Sequence, residues 1–160
     1  MTNPAVAPPD VYHEIQEFYA RQIHLLGTGD IESWAETFTV DAVFEQNARP
    51  DRQFARSAKP VRRGRADIAA AAGGAAAQRR DDSVFRRYWL GMLTVTPEAD
   101  GTLRTGYYGA LINTLPDAEV DVFLSTHGTD VLVREDGSWR VRHRVIGHDD
   151  APDDAVEASA

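Results

Sequence analysis

The sequence predicts an α+β fold in which a largely antiparallel sheet curls around helices gathered toward the N-terminal end. Three observations carry that expectation. Val11 to Leu26 has one apolar stripe at helical spacing, a second short amphipathic stretch follows two glycines, and the C-terminal half is a series of β-rich runs joined by hairpin-like separators. Helices grouped ahead of an antiparallel sheet pack onto one face of it, and a chain of 160 residues is suited to a single core.

In the first helix Ile15, Phe18, Tyr19, Ile23 and Leu26 recur at intervals of three and four, and Gly27 and Gly29 stop it. Asp30 is placed to cap the next helix by accepting from a free backbone N–H, with Ile31, Trp34, Ala35 and Phe38 as its buried face. Thr39-Val40-Asp41 reads as a turn, and Ala42-Val43-Phe44 as the start of a strand. Residues 47–64 hold two prolines and many arginines without apolar period, which predicts a long basic loop. Arg65 to Arg80 is Ala-rich and helical despite Gly73-Gly74, each costing about 1 kcal/mol against Ala; close packing against a neighbour is the expected reason. Strands are predicted at Ser83–Thr96, Leu103–Thr114, Glu119–Arg134 and Ser138–His148, separated by PEADG, LPDA and EDG. Residues 1–10 read as a flexible leader, 11–148 as one domain, and 149–160 as an acidic disordered tail.

Composition narrows the function. A formal charge of −8 opposes broad binding to nucleic acid or an anionic membrane. The absence of cysteine excludes thiolate catalysis and Cys-based metal sites. No basic leader and no run of about 18 apolar residues occurs, so a cytoplasmic protein is expected. Neither closely spaced His and carboxylate ligands nor a glycine-rich phosphate cradle is present, which predicts no metal and no cofactor.

The motif GD-x3-W-A-x2-F-T-x-D-A-V-F at Gly29 to Phe44, then G-R-x-x-I at Gly64 to Ile68, then V-R-E-D-G-S-W-R-V at Val133 to Val141, resembles the SnoaL-like branch of the nuclear-transport-factor-2-like superfamily over residues 11–148. The resemblance implies a cone-shaped half-barrel whose three helices close one side of a pocket. It also implies relatives of diverse activity, including ketosteroid isomerases, scytalone dehydratase, limonene epoxide hydrolases, polyketide cyclases and non-catalytic small subunits of ring-hydroxylating dioxygenases.

Strand alternation sorts the candidate pocket residues. In the last strand Trp139, Val141, His143 and Val145 share a face, opposite Arg140, Arg142 and Arg144; the apolar set is expected inside, bringing His143 with it either as a core histidine or as a base. The run Glu119–Arg134 offers Ser125 and His127 on one parity and Thr126, Gly128 and Asp130 on the other, with a bulge able to exchange them. An Asp130 beside His143 would orient its imidazole and raise its basicity. Where many SnoaL-like sequences carry R-H-x-x-x-N, this chain has Tyr88 and Met92 in place of His and Asn, which leaves a phenol as hydrogen-bond donor to an enolate. The resemblance places a general-base aspartate of ketosteroid isomerases near Gln46, which takes up no proton at ordinary pH. Tyr19, Trp34, Phe44 and Asn113 complete the expected lining, and His13, His24 and His148 look peripheral.

The expected function is a cofactor-independent enzyme of secondary metabolism. It would dehydrate, cyclise or isomerise a polyketide-like polycyclic or aromatic intermediate, with His127 or His143 as base and Tyr19 or Tyr88 as donor. The alternatives are a non-catalytic small-molecule binder or dioxygenase-small-subunit-like partner and, last, an epoxide hydrolase. A homodimer through an outer sheet face bearing Trp89, Tyr108 and Phe123 is expected, and the basic loop 49–65 is either a solvated cover of the pocket mouth or a dock for a carrier protein or a carboxylated substrate.

Overall fold

The computed structural model describes residues 5–49, 61–78 and 83–151. A first helix, α1 (Pro9–Thr28), begins on a proline, whose fixed φ suits the first turn. It ends where Gly29 takes φ 78° and returns its N–H to the Leu26 carbonyl. Asp30 then caps α2 (Ile31–Ala35), accepting from the Ser33 N–H at 3.1 Å. The helix is shorter than expected. Phe38 already belongs to a strand, β1 (Phe38–Asn47), so the predicted turn at 39–41 lies inside it. Within the region read as loop, Val61–Arg63 forms β2, pairing antiparallel with β1; residues 50–60 of that basic loop lie outside the described residues.

The third helix, α3 (Arg65–Gln78), is followed by β3 (Phe85–Pro97), β4 (Leu103–Thr114), β5 (Val120–Glu135) and β6 (Ser138–His148). Gly64 and Arg65 lash the start of α3 to β1 by bonds to the carbonyls of Ala42 and Phe38, at 2.7 Å and 2.9 Å. A Cβ on Gly73 or Gly74 would meet nothing within 4 Å, so close packing is not what keeps these glycines. At the chain's start, Ala7 is buried and donates to the Val95 carbonyl. Residues 7–10, assigned by the sequence to the leader, are therefore part of the fold. Asp149 likewise bonds back to Ser125, while 152–160 of the acidic tail lie outside the described residues.

The six strands run in the order β2-β1-β6-β5-β4-β3. All neighbours are antiparallel except β1 and β6, which pair parallel. Three long strands each carry an extra residue. Gly91 pairs with Tyr108 and Thr94 with Gly106, leaving Met92 at φ 52° in the bulge of β3. Leu111 pairs with Leu124 and Ile112 with Val122, so Phe123 is extra in β5. Val131 pairs with His143 and Leu132 with Val141, so Arg142 is extra in β6. A bulge bends its strand and increases local twist, and three of them give the sheet its curl. On the concave side Ile15 and Tyr19 of α1 pack with Trp34, Phe38, Leu103, Leu132 and Val141, each fully buried apolar side chain contributing about 1.5–3 kcal/mol.

Candidate functional site

The curl leaves a hollow of about 240 Å³ between the sheet and the helices. Its walls are mostly apolar: Ile23, Leu26 and Trp34 from the helical hairpin, Ile68 and alanines from α3, and Phe44, Leu90, Leu111, Leu124 and Ile146 from the sheet. The volume lies just under the range of roughly 300–1,000 Å³ usual for ligand pockets. The alanines of α3 matter here, since longer side chains would fill the space.

Beneath the hollow lies a buried polar network centred on Asp130, which is 1% exposed. One carboxylate oxygen accepts from Arg144 Nε at 2.9 Å and from Tyr107 at 3.1 Å, the other from Arg144 Nη2 at 2.6 Å and from Tyr19 at 2.8 Å. A carboxylate has about four acceptor sites, so Asp130 is fully engaged. Burial would lower the Arg144 pKa, but Asp130 and the two phenols hold it above the usual guanidinium range. Burial, reinforced for Tyr19 by Asp130, pushes both phenols well above their ordinary value. Arg144 Nη2 also donates to Gln22 Oε1 at 2.8 Å, and Gln22 Nε2 to Thr37 Oγ1 at 2.5 Å. Gly128 makes room for the network: a Cβ there would lie 2.3 Å from the Tyr107 ring.

A second chain of polar groups runs along the wall. Arg62 Nη1 donates to Gln46 Oε1 at 3.4 Å, which turns the amide nitrogen of Gln46 toward His148 Nε2 at 3.1 Å. With the amide nitrogen as donor, Nε2 of His148 is the acceptor. His148 is 4% exposed and lines the hollow, as do Gln46, Arg62, Tyr88, Thr126 and Arg144.

Several expectations are corrected by these positions. His143 does not face inward: the extra residue Arg142 reverses the alternation of β6, so that Arg144, Ile146 and His148 face the hollow and His143 faces out to Glu45, 2.9 Å away. Asp130 consequently meets Arg144 rather than His143. In β5 the bulge lies ahead of both candidate sets. Thr126, Gly128 and Asp130 face in, whereas His127 is 61% exposed and bonds Asp149 at 2.9 Å on the outer face. Met92 is thrown outward by its bulge and is 79% exposed. Asn113 is buried but accepts from Arg86 Nε at 3.1 Å and does not line the hollow. Tyr19 sits below the floor with its proton committed to Asp130. Trp34, Phe44, Gln46 and Tyr88 do line the hollow. Sequence reasoning misses Arg62, Arg144, Gln22 and His148, although a glutamine on the apolar stripe of α1 signals a buried polar partner. Among the described residues no group of three or more His, Asp or Glu could hold a metal, and no helix is long and apolar enough to cross a membrane.

A curled sheet closed by helices over one hollow defines a pocket protein of the nuclear-transport-factor-2-like class. The SnoaL-like domain profile matches residues 10–145, and the chain belongs to that family. Among solved structures it is similar to Aln2 from a Streptomyces species, with 34% identity, 96% of this chain and 99% of that one covered, and a TM-score of 0.75. It is similar to ActVI-ORFA from Streptomyces coelicolor, with 26% identity, coverage of 91% and 99%, and a TM-score of 0.78. A Catenulispora acidiphila protein solved in complex with S-DNPA is 29% identical, with coverage of 89% and 96% and a TM-score of 0.71. No curated protein matches the sequence.

Proposed function

We propose that the chain is a cofactor-independent enzyme that dehydrates, cyclises or isomerises an oxygenated, polyketide-like aromatic intermediate, with His148 as its acid–base group. The observation that carries this reading is an imidazole on the wall of an apolar hollow, its Nε2 3.1 Å from the amide nitrogen of Gln46. Such a nitrogen is a base suited to pH 7. In a dehydration, a carbon–hydrogen bond next to a carbonyl breaks, Nε2 takes the proton in place of the Gln46 N–H, and an enolate forms. Tyr88 and Arg144 supply donors from the hollow's lining to the enolate oxygen, strengthened by exclusion of water. The imidazolium then returns the proton to the departing hydroxyl, which leaves as water. Asp130 acts only through Arg144, which it fixes and neutralises.

S-DNPA, the ligand named for the Catenulispora acidiphila relative, is the first substrate to test. Incubation followed by mass spectrometry should show conversion by the unaltered protein and by His127→Gln, and its loss in His148→Gln. Equal rates in all three would remove His148 from the chemistry. The second reading, a non-catalytic binder, is favoured by the outward placement of His127 and His143. Saturable binding of S-DNPA without any conversion selects it.

A further inference from the structure

Two guanidinium groups and one imidazole line the hollow, while among the described residues no Asp or Glu does. The two arginines differ in what surrounds them. Arg144 is matched by Asp130 and brings no net charge to the floor. Arg62, on the short strand β2, is half-buried, and among the described residues no carboxylate lies within ion-pair distance of it. Its contacts are the long 3.4 Å bond to Gln46 and the face of the Phe44 ring at 6.0 Å. Burial lowers its pKa while Asp67 opposes the shift, and a guanidinium stays charged throughout any accessible pH. A half-buried guanidinium with no carboxylate partner among the described residues keeps its donors open to an anionic ligand.

From this arrangement, and on the reading of the hollow as a ligand site, we propose that Arg62 is the recognition point for a carboxylate, so that the substrate class is an aromatic acid. The planar fork of the guanidinium matches a carboxylate in bidentate fashion. Phe44 beneath it, with Leu90 and Trp34 also lining the hollow, provides the apolar slot for the attached rings. Among the described residues Arg62 is the one guanidinium of the lining without a carboxylate partner, and with no glycine-rich cradle in the sequence it suits a carboxylate better than a diphosphate, which needs several converging donors. The acid group therefore anchors at β2 and orients the rings along the wall that carries Gln46 and His148.

The test uses naphthalene-2-carboxylate and naphthalene-2-carboxamide, two probes of nearly equal shape, titrated calorimetrically into the full chain and its Arg62→Gln and Arg62→Lys variants. The unaltered protein should bind the acid at least about tenfold more tightly than the amide, the low end for a hydrogen bond to a charged group. Arg62→Gln should abolish that preference while leaving the amide's affinity nearly unchanged, and Arg62→Lys should restore part of it. Equal affinity for the two probes in the unaltered protein, or a preference that survives Arg62→Gln, overturns the assignment of Arg62 while leaving the hollow a ligand site. Failure of both probes to bind would overturn the ligand-site reading together with it.

Discussion

Replacing Asp130 by Asn removes one charge at nearly constant volume from the centre of the buried network. The carboxylate accepts four hydrogen bonds, two from Arg144 and one each from Tyr19 and Tyr107. An amide can accept at one end only; its NH2 then faces donors, and Arg144, 7% exposed, becomes a buried cation without its partner. Breaking a buried pair in this way costs about 3–5 kcal/mol, against a total stability of about 5–15 kcal/mol for a domain. With a urea dependence of about 1–3 kcal/mol per molar, the unfolding midpoint should fall by at least about 1 M. Urea titration followed by far-ultraviolet circular dichroism measures it. In an Arg144→Met background the same Asp130→Asn change should become neutral or stabilising, because there it removes an orphaned charge. A loss below about 1 kcal/mol in the unaltered background, or the same loss in both, would refute the network as the support of the floor.

Three further outcomes are expected. Burial, ahead of the neighbouring charges, raises the pKa of Tyr19 and Tyr107 in the folded state. The unfolded chain therefore gives up protons first above about pH 10, and stability should fall as pH rises past that point, fully present below it. Phenolate absorbance of these two groups should appear only with unfolding, and free titration in the folded protein would contradict the packing. Gly74→Ala, at an exposed helical position where a Cβ meets nothing within 4 Å, should raise stability by about 1 kcal/mol, read as a higher urea midpoint. The outer sheet face exposes Phe85 (56%), Trp89 (64%) and Tyr108 (66%), a patch that favours association. Light scattering at micromolar concentration should find a dimer and Tyr108→Glu a monomer, whereas a monomeric unaltered protein would exclude that surface.

Much of the frame is legible because periodicity and punctuation agree. The bounds of β4 and β6 coincide with the predicted runs, and Asp30 caps α2 as its position implies. Phe38 reads as helical because its spacing from Trp34 fits a helix. It is held instead in β1, its backbone paired beside Val141 and its ring packed edge-on to Trp34. β2 escapes the sequence for a related reason: three residues within a basic run become a strand only through pairing with Val43 to Glu45, and that partner is remote in sequence.

The site is harder to read, and the cause is specific. Side-chain alternation has a period of two, so one extra residue reverses the assignment of everything beyond it. Reading β6 from Trp139 and Val141 forward puts His143 inside. Reading it backward from Ile146 puts Arg144 and His148 there instead. Apolar residues stand on both parities of this strand, Val141 and Val145 on one and Ile146 on the other, so both readings stand until a bulge between them is located. Only the pairing of Val131 with His143 places it at Arg142. The consequence is chemical: the slip exchanges an imidazole for a guanidinium opposite Asp130 and turns His148, three residues from the end of the family match, into the one imidazole among the described residues that lines the hollow.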